Sequence, residues 1–257
     1  MNILIILLKR YLKIFIKNLN NQIALFAFLP LLIYGFMVAP LSNIFLFIDS
    51  SSMSYSYHSI PAVIFLCTIL IAIYTPMIFI NKDSNNNFQS YLLAYSNKNL
   101  YFLSIVIFSV ICSYIEFLIS FILIYNLSDS NDKMGIMISS YQLIYFALIS
   151  LPSVLFFTTL GLFLSNIFKK YENILSILIF IFLIISFGSA TFIPIDYYPS
   201  TLSSLISDYN IFHLQYNQYI NILSNNNINL GMIIISLFLA ITLYFLNLIF
   251  FKNKVEY

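Results

Sequence analysis

Charged residues are scarce in this sequence: Asp, Glu, Lys and Arg together make up 8% of it, against 61% hydrophobic residues. A soluble domain carries about 25% charged residues. This chain therefore has too few charged residues to cover the surface of a soluble domain of its length. The net charge is only +2, and no lysine-rich or arginine-rich patch interrupts the apolar blocks. Nucleic-acid binding, which needs a basic patch, is therefore not expected.

The residues that bind nucleotides and metals are also few. None of the five glycines begins a phosphate-binding G-x-x-x-x-G-K stretch. Cys67 and Cys112 both lie in apolar runs, where a free cysteine behaves as a small hydrophobic residue. His58 and His213 fall in polar connections, where we expect solvated or interfacial side chains. We therefore predict no metal site, no cofactor and no enzymatic activity in this chain.

Six apolar blocks fill most of the remaining sequence. A helix needs about 20 apolar residues to cross about 30 Å of hydrocarbon. Pro30, Pro76 and Pro152 fall inside these blocks and predict helix kinks. The sequence thus predicts an all-α membrane protein, a single six-span domain over residues 23–257, with spans at about 23–41, 60–80, 100–127, 140–165, 173–193 and 230–251.

The basic residues predict the orientation, because cytoplasmic connections carry an excess of Lys and Arg. Of the connections, only the third, which holds Lys133, would place a basic residue on the external side. Both termini are therefore expected in the cytoplasm. The residues on that side are Lys9, Arg10, Lys13 and Lys17 before the first span, Lys82 and Lys98, Lys169 and Lys170, and Lys252 and Lys254.

The N-terminal 22 residues form a separate element. On a helix, Lys9, Arg10, Lys13 and Lys17 fall within an arc of about 100°, and apolar residues occupy the rest. This pattern is typical of a helix that lies in the membrane interface with its lysines toward anionic headgroups. The alternative is an extension of the first span that the charges interrupt.

Two connections are long enough to carry a function. The cytoplasmic one, residues 81–99, places Phe88, Leu92 and Tyr95 at helical spacing with Tyr91 beside them. Such an apolar stripe suits docking into a partner's groove, although packing on the ends of the spans explains it equally well.

The external connection, residues 193–229, lacks Lys and Arg and is broken by Pro194 and Pro199. Its apolar residues recur at helical spacing, which predicts short helices that re-enter the membrane or lie on it. Its tyrosines, Tyr198 and Tyr219 among them, would belong to an aromatic belt.

Glu116 is the ionisable residue in the middle of a span. A carboxylate at membrane depth usually faces the bundle interior or a wet cavity. It is either a proton or substrate contact, or a structural group that is protonated or bonded to Ser113, Tyr114 or a hydroxyl on another span. With Tyr114 and Tyr34, Glu116 makes up the candidate pathway.

The order of these elements resembles the membrane permease subunits of ABC exporters of the second type, a six-span bacterial family that exports polysaccharides, lipid-linked glycans and drugs. The resemblance rests on the basic N-terminal helix, on LPLLIYGFMV (Leu29–Val38), on the connection Lys82–Ser104 and on Ser186–Asn210, where a small-residue turn precedes a proline-marked hairpin. The sequence departs from the family in having Asn85–Asn87 in place of an acidic-Gly-Thr turn, and Asn210-Ile211 in place of Asn-Pro.

The resemblance implies a multi-pass protein of the bacterial cytoplasmic membrane that pairs with a second permease subunit, most simply as a homodimer. Two ATPase subunits would dock beneath it and bind the ATP. Phe88, Tyr91, Leu92 and Tyr95 would form the coupling helix in the ATPase cleft, with Lys169 and Lys170 in a smaller second contact. Pro194, Tyr198 and Pro199 would mark the external re-entrant hairpin. The cargo would be an amphiphile.

Two other functions compete with this interpretation. A secondary transporter or channel would need a relay of intramembrane charges or inverted repeats, and the sequence has neither. A protein translocase subunit would place its final spans close together, whereas 37 residues separate them here. A cytochrome-maturation permease is harder to distinguish.

Overall fold

The structure is a computed structural model that describes residues 3–42, 44–45, 55–85, 98–127, 140–168, 171–223 and 229–255. Over these residues the chain is helical and contains no strand. The helices are α1 (Ile3–Lys17), α2 (Leu19–Ile33), α3 (Ala39–Ser42), α4 (Tyr55–Asn85), α5 (Lys98–Leu127), α6 (Ser140–Ile167), α7 (Tyr171–Gly188), α8 (Ser200–Tyr209), α9 (Ile211–Leu223) and α10 (Leu230–Val255), with a π-helical segment at Tyr34–Val38 and a 3₁₀ turn at Ile195–Tyr197.

Five helical stretches are long and apolar enough to cross a membrane. Together with the apolar faces that these helices expose, they fit a multi-pass membrane protein. These stretches match five of the six predicted spans and run over Gln22–Ser42, His58–Ser84, Lys98–Leu127, Ile144–Ile167 and Leu230–Phe250.

The remaining span was predicted over residues 173–193, and that prediction extends past the end of the helix. Helix α7 is apolar but ends at Gly188. Thr191 Oγ1 donates to the carbonyl oxygens of Ile185 and Ser186, at 2.6 and 2.9 Å. Ala190, with a φ of 52°, adopts the left-handed conformation. The chain therefore turns back on the last carbonyls of α7 instead of continuing the helix.

Helix α4 is the centre of the bundle. It packs against α5, α6, α7 and α9. Of the residues in its most apolar 18-residue stretch, 89% are buried, compared with 17% for the corresponding stretch of α10. Its approach to α6 is close at Gly161, where a Cβ atom would lie 2.5 Å from the carbonyl oxygen of Ile73. Only a glycine fits at this crossing.

Helix α10 is peripheral by comparison. One side packs along α6, and the other exposes large apolar side chains, among them Ile234, Phe238, Ile241, Phe245 and Ile249. Contiguous exposed apolar surface of this kind is not tolerated in water and suits contact with lipid.

Helix α1 is separate from α2, but it is shorter than the predicted element of 22 residues, because it ends at Lys17 and the break lies at Asn18. It has three faces. Leu7 and Tyr11 are buried on one face, which packs on α5. Leu12 and Ile16 are exposed on the second, and Lys9, Lys13 and Lys17 are exposed on the third. A helix that presents a core face, an apolar face and a basic face fits the boundary between hydrocarbon and headgroups.

Candidate functional site

The predicted coupling residues Phe88, Tyr91, Leu92 and Tyr95 lie outside the described residues, as do Lys169 and Lys170. Their docking role stays a prediction. The structure does describe the two flanks of the coupling segment, because α4 ends at Asn85 and α5 begins at Lys98.

A buried ion pair joins helix α1 to these flanks. Arg10 Nη2 lies 2.5 Å from Asp83 Oδ1, and Arg10 Nη1 donates to Asp83 Oδ2 at 3.2 Å. Tyr101 Oη donates to the same Oδ2 at 3.1 Å. The Asp83 side chain is fully buried, whereas that of Arg10 is 24% exposed. We call Arg10, Asp83 and Tyr101 the charged clasp, because they join α1, the end of α4 and the start of α5.

Aromatic packing supports the charged clasp. The Tyr11 ring lies 4.7 Å from that of Phe79 and 5.9 Å from that of Phe108, measured between centroids. The Arg10 guanidinium lies 5.5 Å from the Tyr11 ring centroid. Burial, assisted by the negative charge of Asp83, raises the pKa of Tyr11 above its ordinary value, so this phenol stays neutral.

Arg10 therefore differs from the other three basic residues that were predicted to lie in the interface. Lys9, Lys13 and Lys17 are exposed, while the guanidinium of Arg10 forms a bidentate pair with a buried carboxylate. A planar guanidinium matches a carboxylate in this way and a lysine ammonium does not. The sequence did indicate that Arg10 differs, because it is the one arginine among the four basic residues of this helix.

Glu116 is fully buried in α5, and its partner is not among those expected. Ser120 Oγ, one turn further along the same helix, donates to Glu116 Oε1 at 2.9 Å. Ser113 instead donates to the carbonyl oxygen of Ser109. Glu116 Oε2 has no hydrogen-bond partner among the described residues.

The two tyrosines of the candidate pathway have described contacts of their own. Tyr34 is half-buried in the π-helical segment and packs against the core. Tyr114 Oη donates to the carbonyl oxygen of Ala147 at 2.6 Å and lies 3.5 Å from Ser150 Oγ. Tyr114 thus leads to α6, where Ser150 lines a cleft that the sequence did not predict.

This cleft lies between α6, α9 and α10 and has room at its floor for about one water-sized group. We call it the polar cleft, and its lining residues are Ile149, Ser150, Pro152, Ser153, Gln218, Tyr219, Met232, Ile233 and Ser236.

Two buried polar atoms of the polar cleft are unpartnered among the described residues: Gln218 Oε1 and Tyr219 Oη. Ser150 lies beside the Tyr219 hydroxyl. Its Oγ donates to the carbonyl oxygen of Ala147 at 3.1 Å. Gln218 uses its Nε2 to donate to the carbonyl oxygen of Asn229 at 2.8 Å. Gln215 Nε2 donates to Ser236 Oγ at 3.1 Å.

The proline-marked segment ends in a helical pair. Pro199 immediately precedes α8, and its carbonyl oxygen accepts from the backbone N–H groups of Leu202 and Ser203. Tyr198 Oη donates to the carbonyl oxygen of Phe187. The carbonyl oxygen of Pro194 accepts from the N–H of Tyr197. The tyrosine thus ties the segment to the end of α7.

His213 is buried, whereas a solvated or interfacial side chain was expected for it. Its Nδ1 lies 2.8 Å from the carbonyl oxygen of Ser189 and its Nε2 lies 2.9 Å from Asn217 Nδ2. These partners select the neutral ring with the proton on Nδ1. Burial lowers the pKa of His213, in agreement with that form.

Comparison of the chain with models of known protein families gives no match, and comparison with curated proteins gives none either.

Proposed function

We propose that this chain is the membrane permease subunit of an ATP-driven exporter that moves an amphiphile outward. Two copies pair, and two ATPase subunits dock on the segment around Phe88–Tyr95, with Lys169 and Lys170 in a second contact. The charged clasp is the observation that carries this proposal. It joins α1 to both helices that flank the docking segment, so a force applied to that segment reaches three helices at once.

The proposed topology has six spans with both termini in the cytoplasm. Helix α7 is the fifth of these spans in chain order, and its 18 residues extend about 27 Å, close to the hydrocarbon thickness of about 30 Å. A small shortfall is accommodated by local thinning of the bilayer. Helices α8 and α9 then form the external hairpin, and the basic face of α1 meets the headgroups of the cytoplasmic leaflet.

Co-purification tests the docking segment directly. A variant with Tyr91→Asp, Leu92→Asp and Tyr95→Asp is expressed with the ABC ATPase of its own genome and purified through a tag on the permease. We expect it to remain in the membrane fraction and to lose the ATPase, because three carboxylates cannot enter an apolar groove.

A triple variant in α8 is the matched control. Leu202→Asp, Leu205→Asp and Tyr209→Asp change exposed residues of similar types on the side that we propose is external. This control should keep the ATPase. Retention of the ATPase by the Tyr91, Leu92 and Tyr95 variant would refute the docking assignment, and absence of any associated ATPase in the wild type would refute the proposed function.

One observation favours a second candidate, a proton-coupled secondary transporter. Glu116 is fully buried and has one carboxylate oxygen without a partner among the described residues, as a proton-carrying group would. Transport by the purified chain in liposomes without an ATPase, abolished by Glu116→Gln, would establish this candidate instead.

A further inference from the structure

Both histidines of the chain contact the turn that follows α7. We call residues 189–192 the α7 turn. His213 Nδ1 lies 2.8 Å from the carbonyl oxygen of Ser189. The His58 ring lies beside the backbone of Ala190 and Thr191, and it is close enough to His213 for the two rings to interact electrostatically. The α7 turn is therefore joined to α9 through one histidine and to the start of α4 through the other.

The α7 turn is strained and is held from outside. Ala190 has a φ of 52°, a left-handed conformation that is unfavourable for a residue with a Cβ atom. Tyr55 Oη donates to the carbonyl oxygen of Phe192 at 2.8 Å, and Asn210 Nδ2 donates to that of Gly188 at 2.8 Å. A strained backbone persists only while its surroundings hold it. Loss of the histidine contacts is therefore expected to open the turn.

Both rings fit beside the α7 turn only while they are neutral. His213 Nε2 lies 2.9 Å from Asn217 Nδ2, which requires an unprotonated ring nitrogen. Burial lowers the pKa of His213, in the same sense. His58 Nε2 is buried and has no partner among the described residues, so a cationic ring would bury an N–H group without an acceptor. Burying an unpaired charge is far more costly than burying a neutral group.

The described surroundings supply no negative charge to the two rings. The titratable side chains in contact with them are Tyr55 and Tyr216, whose ring centroids lie 6.4 and 5.4 Å from that of His58. Asp196 and Asp208, the acidic residues of the described segment between α7 and α10, are exposed. No described carboxylate forms an ion pair with either histidine. A proton on either ring would therefore remain unbalanced while the turn is closed.

We propose that His58 and His213 form an acid-sensitive latch on the α7 turn. At neutral pH the uncharged rings hold the turn closed. As the pH falls below about 6.5, where an exposed histidine gains its proton, the open turn binds protons that the closed turn excludes. Acid therefore shifts the equilibrium toward the open turn. The latch does not depend on the proposed transport function, and in the proposed topology it responds to acid outside the cell.

Hydrogen–deuterium exchange tests this proposal on the purified full-length chain in lipid nanodiscs, which expose both sides of the protein to one buffer. The closed turn is fully buried, so its amides exchange when it opens. Exchange is measured by mass spectrometry at about pH 7.5 and 5.5, one unit on either side of the ordinary histidine pKa, and is corrected for the intrinsic effect of pH on amide exchange. Each histidine that stays neutral in the closed turn shifts opening about tenfold between these values. We expect roughly tenfold to hundredfold faster corrected exchange of the α7 turn at the lower pH, and unchanged exchange of α10.

Two kinds of variant separate titration from structural support. His213→Asn keeps an N–H donor near the position of Nδ1 but gains no proton, and we expect the pH effect to become about tenfold smaller. His213→Asn combined with His58→Phe should abolish it. Thr191→Val is the matched control, because it removes the hydroxyl that donates to the carbonyl oxygens of Ile185 and Ser186 and leaves both histidines. Its turn should exchange faster at both pH values, with the pH effect of the wild type.

Equal corrected exchange of the wild-type turn at the two pH values would overturn the proposal, and so would a wild-type pH effect in the double variant. Equally accelerated exchange of α10 would also overturn it, since acid would then unfold the bundle as a whole. If His213→Asn does not fold, NMR of the wild type with labelled histidine decides, because the chain has only two histidines. Protonation of both rings near pH 6.5 without faster exchange of the turn would refute the latch. None of these results bears on ATPase docking, so the two proposals fail separately.

Discussion

The charged clasp and the polar cleft are both polar clusters at junctions of three helices, but they use their polar atoms differently. In the charged clasp both carboxylate oxygens of Asp83 accept hydrogen bonds, from Arg10 and Tyr101. In the polar cleft Gln218 and Tyr219 each keep one atom without a partner in the described chain. Paired polar groups hold helices together, whereas unpaired ones weaken a fold. The first cluster is therefore built for stability, and the second contributes less to it.

The largest effect is expected from breaking the charged clasp. Asp83→Ala leaves the Arg10 guanidinium without its carboxylate, and loss of one partner of a buried pair costs about 3–5 kcal/mol. Because Arg10 is partly exposed, we expect about 3 kcal/mol less free energy of unfolding. Denaturant titration in detergent micelles measures this. The double variant Arg10→Met, Asp83→Leu should recover most of the loss, and a double variant as unstable as the single one would contradict the account.

The next effect concerns the helix pair that connects the two clusters, since α4 carries Asp83 and α6 carries Ser150. In Gly161→Ala the new Cβ would lie 2.5 Å from the Ile73 carbonyl oxygen and 2.8 Å from Pro76 Cγ. Overpacking of this kind costs about 2 kcal/mol, which should lower the melting temperature. Gly35→Ala is the control, because its Cβ would meet nothing within 4 Å. Equal melting temperatures for the two variants would refute the close crossing.

The smallest changes in stability are expected from two tyrosine hydroxyls of α9, one that donates a hydrogen bond and one that has no partner among the described residues. Tyr216→Phe leaves the His58 carbonyl oxygen without its donor and should lower the free energy of unfolding by about 1 kcal/mol. Tyr219→Phe removes a hydroxyl without a partner in the described structure, so stability should stay the same or rise slightly. If Tyr219→Phe proves as destabilising as Tyr216→Phe, the contrast between the two clusters does not hold.

Much of the fold follows from local sequence. Uninterrupted apolar blocks predicted the five long helices, since length and hydropathy are properties of a continuous segment. The separate N-terminal helix followed from the periodicity of its basic residues. The end of α7 was misplaced because hydropathy does not register a turn: the residues at 189–193 are apolar enough to extend a span, but Thr191 bonds back to the last carbonyls.

The partners of the polar side chains did not follow from the sequence. Arg10 and Asp83 are 73 positions apart, and Gln215 and Ser236 are 21 apart, so only the packing of the helices brings each pair together. The hydrogen-bond partner of Glu116 could not be predicted either, although that partner lies only four residues away. The location of Glu116 at membrane depth was evident, but which of several nearby hydroxyls it meets depends on side-chain direction in α5. The polar cleft was missed because its members come from three separate helices.

The long separation between Arg10 and its partners also has a consequence for biosynthesis. The chain is made from its N-terminus, so α1 leaves the ribosome before Asp83 in α4 and Tyr101 in α5 have been translated. During that interval Arg10 in α1 lacks the carboxylate with which it pairs in the folded protein. The ion pair can form only after α2 and most of α4 have been synthesised. The same ion pair that stabilises the finished protein is thus unavailable to α1 when that helix is first made.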